Sequence, residues 1–412
     1  MSEPVTSQAR TVSSSRARID DVFTPSSPVR RRELFAGRAQ ALQALLELIE
    51  QPGRHAVVFG ERGAGKSSLV AVAPEMCASP IRVVRVSVTA GDTFASLWQR
   101  VAEGARAWAR RAERGLVSPP PPAFPPEGLA ATGATVTAEP LDLLAWLSTG
   151  AAAWVVFDDF DRAESAEIRA RMRDLAQSTA SSAPGATLVF AGTGRSGDEL
   201  IGASTALVPV HVPRMTSDET IELVLRGLRL LGRPADDLVV ERIATFANGL
   251  PQAAQALARA TAIAAADSPT LGAMHLGDAV VALLDEAPAD VASAYDQATV
   301  RARRGIYPEI LLACALAPRG EMGAFAVRDV CDTLTSIVRR EVRGLTNQVS
   351  ALTEEGRGSV LEKRGAASRA TYRFVDPRLE GYILLRGLEQ GWTTNPAAEG
   401  RPGPGDTLAR AA

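Results

Sequence analysis

The stretch HAVVFGERGAGKSSLV, residues 55–70, constrains this chain more than any other. An apolar run passes directly into a turn carrying Gly60, Gly63 and Gly65, and a helix-spaced segment opens at Lys66. A strand that turns at once into a helix is half of a parallel βαβ unit, which needs further strands beside it and helices over both faces. Glycines in such a turn let backbone N–H groups curl into a concave anion cradle, and the helix N-terminus adds partial positive charge. Of the 45 Lys and Arg residues only Lys66 and Lys363 are lysine. A compact ammonium on a thin stem fits among phosphate oxygens inside the loop, where the broad fork of arginine does not.

The rest of the chain supplies what that half-unit needs. IRVVRVSV, AWVVFDDFD and ATLVFAGTGR read as buried strands, separated by helical patterns such as TFASLWQRVAEGARAWARRAERG and AEIRARMRDLAQST. From about residue 211 the pattern turns helical. The expected organisation is a mobile tail over 1–22, an α/β domain over 23–210 with an exposed proline-rich insertion at 117–139, a helical domain over 211–290, a further domain over 291–389, and a second mobile tail over 390–412. A net charge of −2 excludes a uniformly basic nucleic-acid coat. No segment offers the roughly 18 apolar residues of a membrane span or the apolar core of a signal peptide, so a cytoplasmic protein without membrane contact is expected. Cys77, Cys314 and Cys331 lack metal-ligand spacing and are expected as reduced, buried side chains. His55, His211 and His275 are too scattered to bind a metal and are expected to be solvated or structural.

Gly60 to Ser67 fits G-x-x-x-x-G-K-[ST], with a strand before it and a helix after. Gly60, Glu61, Arg62, Gly63, Ala64, Gly65, Lys66, Ser67 and Ser68 are therefore the expected phosphate-binding residues, with the Ser67 hydroxyl offered to Mg²⁺. Asp158 and Asp159 stand at the C-terminal end of a buried strand, where open α/β sheets place their ligands. Asp158 is expected to share the Mg²⁺, and Asp159 to polarise an attacking water. A shorter acid than glutamate at position 159 predicts slow hydrolysis. Asp161 is open to two readings, as part of the site or as the start of the next helix. Arg195, just past a third strand, is placed to report a γ-phosphate by a bidentate contact.

The order ELFAGR, GERGAGKSS, VVFDDFD, FAGTGR and NGLPQAAQALA resembles the AAA+/STAND class of P-loop ATPases over roughly residues 23–385. Within it the chain is most similar to bacterial origin-recognition-complex-like ATPases, with features shared by NB-ARC switch proteins. The resemblance implies a P-loop NTPase of AAA+ type: an α/β fold whose parallel sheet has helices on both faces, followed by a helical lid and a winged-helix domain. It implies ATP/ADP and Mg²⁺ as cofactors. Phe35, Gly37 and Arg38 would approach the adenine, and Gly249, Leu250 and Pro251 of the lid would close over it. Gln252 stands near where origin-type relatives carry a sensing arginine, and no residue is identified as an arginine finger acting between subunits.

Residues 306–386 read as helices followed by strand, tip and strand, the layout of a winged helix, and residues 301–386 carry five more basic than acidic side chains. This admits double-stranded DNA as a partner, with Arg343, Asn347 and Gln348 on the third helix and Lys363, Arg364 and Arg369 on the wing. Three functions follow as expectations: a slow ATP-driven switch that moves the winged helix and controls partner binding, a DNA-binding factor whose assembly into oligomers ATP licenses, and a signalling adaptor in bacterial defence. The sequence carries no nuclease, TIR, protease or kinase motif, so any effector is expected on another polypeptide.

Overall fold

The computed structural model describes residues 16–115, 139–299, 306–320, 323–340, 342–365 and 370–391. The chain divides into two units, Ser27–Arg214 and Met1–Ser26 with Met215–Ala412. The first described element, α1 (residues 16–22), belongs to the second of these. The expectations placed on residues 1–15, on 117–138 of the proline-rich insertion and on 392–412 lie outside the described residues.

In the unit Ser27–Arg214 the elements run α2 (Ala39–Ile49), β1 (His55–Gly60), α3 (Lys66–Val72), β2 (Arg82–Ser87), α4 (Phe94–Glu113), α5 (Pro140–Leu147), β3 (Ala153–Asp158), α6 (Ala166–Ser182), β4 (Ala186–Thr193), α7 (Gly197–Ile201) and β5 (Leu207–His211). The strands form one parallel sheet in the order β2-β3-β4-β1-β5. Alternation along β3 shows how a continuous apolar run serves two cores. Val155 and Phe157 pack with Trp98, Leu143, Met172 and Phe190 on the α4–α6 side, while Trp154 and Val156 pack with Leu45, Leu69 and Val189 on the α2–α3 side. Just beyond the acids ending β3, the buried Phe160 lies edge-on to Phe190 at 4.9 Å, fixing the turn that leaves the strand.

The α/β fold with a parallel sheet is thus as expected, but β5 was not foreseen. It contains Pro209, which lacks an N–H, and the sheet tolerates it because β5 is an edge strand hydrogen-bonded only to β1.

The second unit continues through α8 (Ser217–Leu231), α9 (Asp237–Ala247), α10 (Pro251–Ala264), α11 (Ala273–Asp285), α12 (Ala289–Thr299) and α13 (Tyr307–Leu316). Then follow β6 (Phe325–Ala326), α14 (Val327–Val338), α15 (Leu345–Ala351), β7 (Leu361–Arg364), β8 (Thr371–Phe374) and α16 (Pro377–Glu389). The three short strands form an antiparallel sheet in the order β6-β8-β7. Helix α16 packs against α9 and α11 as well as α12 and α13. Asn248 donates to the Ala315 carbonyl at 2.6 Å and to Glu380 at 3.2 Å, and Glu380 also pairs with the buried Arg319. The anticipated division at residue 290 is therefore crossed by packing and hydrogen bonds within one unit.

The expectation of a mobile tail over 1–22 is corrected at its C-terminal end. Ile19, Val22 and Phe23 are buried, Asp20 pairs with Arg259 at 2.7 Å, and the Thr24 N–H donates to the buried Gln255 at 2.7 Å. Three apolar residues within an arginine- and acid-rich segment left too little periodicity to read. Among the described residues no helix is long and apolar enough to cross a membrane.

One buried histidine is structural. The His55 Nδ1 accepts from the Leu188 N–H at 3.0 Å and Nε2 faces the Ala176 carbonyl at 2.8 Å, which selects the neutral Nε2–H tautomer. Burial lowers its pKa from 6.5 to about 4. The neutral form is favoured in the fold, so this contribution to stability is complete above pH 6.5 and is lost as pH falls toward 4. Relative to pH 7, His55 is predicted to remove about 3 kcal/mol by pH 4. Denaturant melts at both pH values check this: the acid loss should shrink by that amount in His55→Gln, and an unchanged loss would contradict it.

Candidate nucleotide site

The loop between β1 and α3 depends on backbone conformations that only glycine adopts without strain. Gly65 caps α3 at φ 93°, and a Cβ on Gly60 (φ 149°) would stand 2.3 Å from the Val212 carbonyl oxygen. Lys66, at the first position of α3, is 9% exposed, and its Nζ donates to the carbonyls of Gly60 at 3.1 Å and Glu61 at 2.6 Å. Burial pushes its pKa down to about 8, against the opposing pull of Asp161, Asp158, Asp159 and Glu61.

Strand β3 is not adjacent to β1, because β4 lies between them. Even so, the Ser67 Oγ donates to Asp158 Oδ1 at 3.0 Å. Helix α3 therefore carries its first turn across the end of β4 to the acids of β3. Burial raises the Asp158 pKa, the neighbouring Asp159 adds to the rise, and the Ser67 hydrogen bond and Arg85 oppose it. Asp159 is exposed, takes a left-handed φ of 54°, and its N–H donates to Asp158 Oδ1 at 3.1 Å. Asp161 accepts from the Thr193 N–H at 2.8 Å, tying the turn after β3 to the end of β4, and it is also the carboxylate that acts most strongly on Lys66.

Other expected residues have partners that the sequence did not reveal. Arg38 is buried, in a left-handed conformation at the start of α2; its guanidinium donates to the Ala64 carbonyl at 2.6 Å and to the Pro213 carbonyl. These bonds tie Arg38 to the loop. Phe35 packs against the α2–α3 core, and Gly37 precedes Arg38 at φ 63°. Ser68 Oγ accepts from the Val29 N–H at 3.0 Å, whereas Arg62 is exposed. Arg195 lies two residues beyond Thr193, which pairs with Gly60, so it stands at the loop end of the sheet; Glu199 holds its guanidinium at 3.0 Å.

Arg214 was missed altogether. Its fork grips Glu61 of the loop, with Nε 3.1 Å from each carboxylate oxygen and Nη2 2.7 Å from Oε2, and both side chains are largely buried. Its signal was its place after the unrecognised β5.

In the second unit, Gly249 (φ 73°) and Leu250 lie in the turn between α9 and α10, Pro251 opens α10, and the Gly249 carbonyl accepts from the Met215 N–H at 2.8 Å. Gln252 is exposed on the first turn of α10. Arg343, Asn347 and Lys363 are exposed, whereas Arg364 is paired with Glu362 at 2.7 Å; Arg369 lies outside the described residues.

Residues 34–189, the segment that carries the loop, both acids, β1–β3 and the start of β4, match the family model described as an AAA ATPase domain. This segment is an AAA ATPase domain. No curated protein matches the sequence. Among solved structures, the Walker-type ATPase PABY2304 of Pyrococcus abyssi has a similar fold: TM-score 0.51 at 15% identity, covering 88% of this chain and 99% of that one. Cdc6p from Pyrobaculum aerophilum matches with TM-score 0.47 at 16% identity, covering 90% of this chain and 98% of that one.

In an AAA ATPase domain the family implies a nucleotide, usually with Mg²⁺, and the residues here fit both. The loop glycines shape a cradle of N–H groups, and Ser67 Oγ and Asp158 Oδ1 form the close pair of hard oxygen donors that Mg²⁺ prefers. Phosphate charge favours the ammonium form of Lys66, whose own pKa is about 8. ATP affinity is therefore predicted to be flat between pH 6 and 7 and to fall above pH 8, by up to about tenfold per pH unit. Equilibrium dialysis across pH 6–10 reads this; affinity that holds level to pH 10 would contradict it.

Proposed function

We propose that this protein is a slow ATP-hydrolysing switch in which Mg·ATP, bound at the loop, sets the arrangement of the second unit and so the binding of a partner. The observation that carries this reading is the Ser67–Asp158 pair at 3.0 Å beside the buried Lys66. The phosphates would lie against the loop N–H groups with Lys66 Nζ between β and γ oxygens. Ser67 and Asp158 would hold Mg²⁺, which supplies charge neutralisation at the γ-phosphate when bound. Asp159, exposed and anchored through its own N–H, would orient the attacking water. Its short reach supports slow turnover.

Arg195 would exchange Glu199 for the γ-phosphate, since both offer a bidentate acceptor to the same fork. That exchange gives the state of the nucleotide a readout at the end of β4. In the lid, Gly249, Leu250 and Pro251 would close on the base. To reset most molecules, the two arrangements must differ in ATP affinity by about 10⁴-fold, roughly 5.5 kcal/mol.

The helix–strand–helix–helix–strand–strand order from α13 to β8 supports a winged helix as the moving part. A second reading, a DNA-binding factor whose assembly ATP licenses, is favoured by the exposed Arg343, Asn347 and Lys363. Duplex DNA affinity that drops with salt and weakens in Arg343→Ala would support that reading; affinity insensitive to both would remove it.

Two variants test the switch. Lys66→Ala is predicted to weaken ATP binding at least 100-fold. Asp159→Ala is predicted to bind ATP within about threefold of wild type while turnover falls at least 100-fold. Wild-type turnover in either variant would refute the assignment.

A further inference from the structure

A second concave site lies on the same unit, at the opposite end of α3 from the phosphate loop. Beside the edge strand β2 is a cavity of about 440 Å³ walled by three arginines, Arg30, Arg85 and Arg111. Ile81, Val83 and Trp108 supply an apolar wall, and among the described residues Glu75 is the one acid lining it. Three cations against one carboxylate leave the cavity with a net positive lining.

This clustering contrasts with arginines that sit beside a carboxylate. Arg195, Arg214 and Arg226 each pair with a glutamate within 3.0 Å. Among the described residues, no carboxylate lies within ion-pair distance of Arg30, Arg85 or Arg111. Although the side chain is exposed in part, desolvation and then the like charge of Arg30 hold Arg85 below the usual arginine range, against the opposing pull of Asp158 and Glu75. Such mutual repulsion is relieved by an anion bound among them.

Arg85 is also oriented. Its Nη2 donates to the carbonyls of Val70 and Ala71, both at 3.0 Å, in the last turn of α3. Among the described residues Nε and Nη1 make no hydrogen bond, so most of the fork remains for a ligand oxygen. The Trp108 ring is backed by Arg82, whose guanidinium carbon is 5.5 Å from the ring centroid. The volume lies within the range of pockets that take whole small molecules and is far too small for a duplex.

We propose that this cavity binds a small organic phosphate of the nucleoside monophosphate class, its phosphate held by Arg30, Arg85 and Arg111 and its planar body against Trp108, Ile81 and Val83. The site is separate from the phosphate loop and does not depend on the switch reading. Both charge and shape are required: the arginines select a phosphate, and the apolar wall rewards a body attached to it.

Calorimetric titration of the full chain carrying Lys66→Ala, which removes phosphate binding at the loop, tests this with UMP, uridine and inorganic phosphate as probes. UMP is expected to bind at least tenfold more tightly than uridine or inorganic phosphate. Adding Arg30→Glu and Arg111→Glu, both exposed positions, is expected to weaken UMP at least tenfold. Wild-type protein saturated with Mg·ADP should give the same ranking, which keeps the test valid if Lys66→Ala perturbs the fold. Undetectable UMP binding, affinity indifferent to the charge reversal, or inorganic phosphate matching UMP would overturn the proposal.

Discussion

A hydroxyl on the helix that follows β1 and a carboxylate that ends the non-adjacent β3 meet at the end of this sheet, and the candidate chemistry depends on that meeting. Ser67 leaves β1 by way of the loop, Asp158 ends β3, and β4 separates the two strands. Only the first turn of α3, laid across the end of β4, brings the two oxygens within 3.0 Å. The sheet order therefore does chemical work: it gathers hard oxygen donors and an ammonium at the C-terminal strand ends, where such sheets place their ligands.

Several contacts brace the loop beside these groups. The carbonyl of Val212 closes on Gly60 so tightly that no side chain fits, Arg38 grips the Ala64 carbonyl from the start of α2, and Arg214 grips Glu61. Arg214 is also the last residue of its unit. The loop is thus braced by residues distant in sequence, and one brace sits where the chain passes to the second unit. In a loop that must present several N–H groups to one anion, such bracing lowers the reorganisation needed on binding.

The parts legible in the sequence were those fixed by local pattern. β1, β3 and β4 are buried on both faces and so read as unbroken apolar runs, and the glycine loop announces itself by spacing. β5 was hidden because Pro209 argues against a strand unless the strand is at an edge, which sequence alone does not tell. The braces were hidden for another reason: Arg38 and Arg214 act on partners chosen by tertiary proximity, and in a chain whose cations are nearly all arginine neither stands out. Asp161 could not be assigned without knowing that β4 lies next to β3. Its bond to the Thr193 N–H answers half of that question, and its pull on Lys66 the other half. The second unit was harder still, because Asn248 and Glu380 lie 132 positions apart and no local pattern links them.

In the proposed site one Mg²⁺ is shared by Ser67 and Asp158 when ATP is bound. Its most direct test is the ratio of ATP affinities with and without Mg²⁺, measured by calorimetry for wild type and for Asp158→Asn. Mg²⁺ is expected to tighten ATP binding in wild type by at least tenfold and to have no more than a twofold effect in the variant. An equal Mg²⁺ effect in both proteins would contradict it.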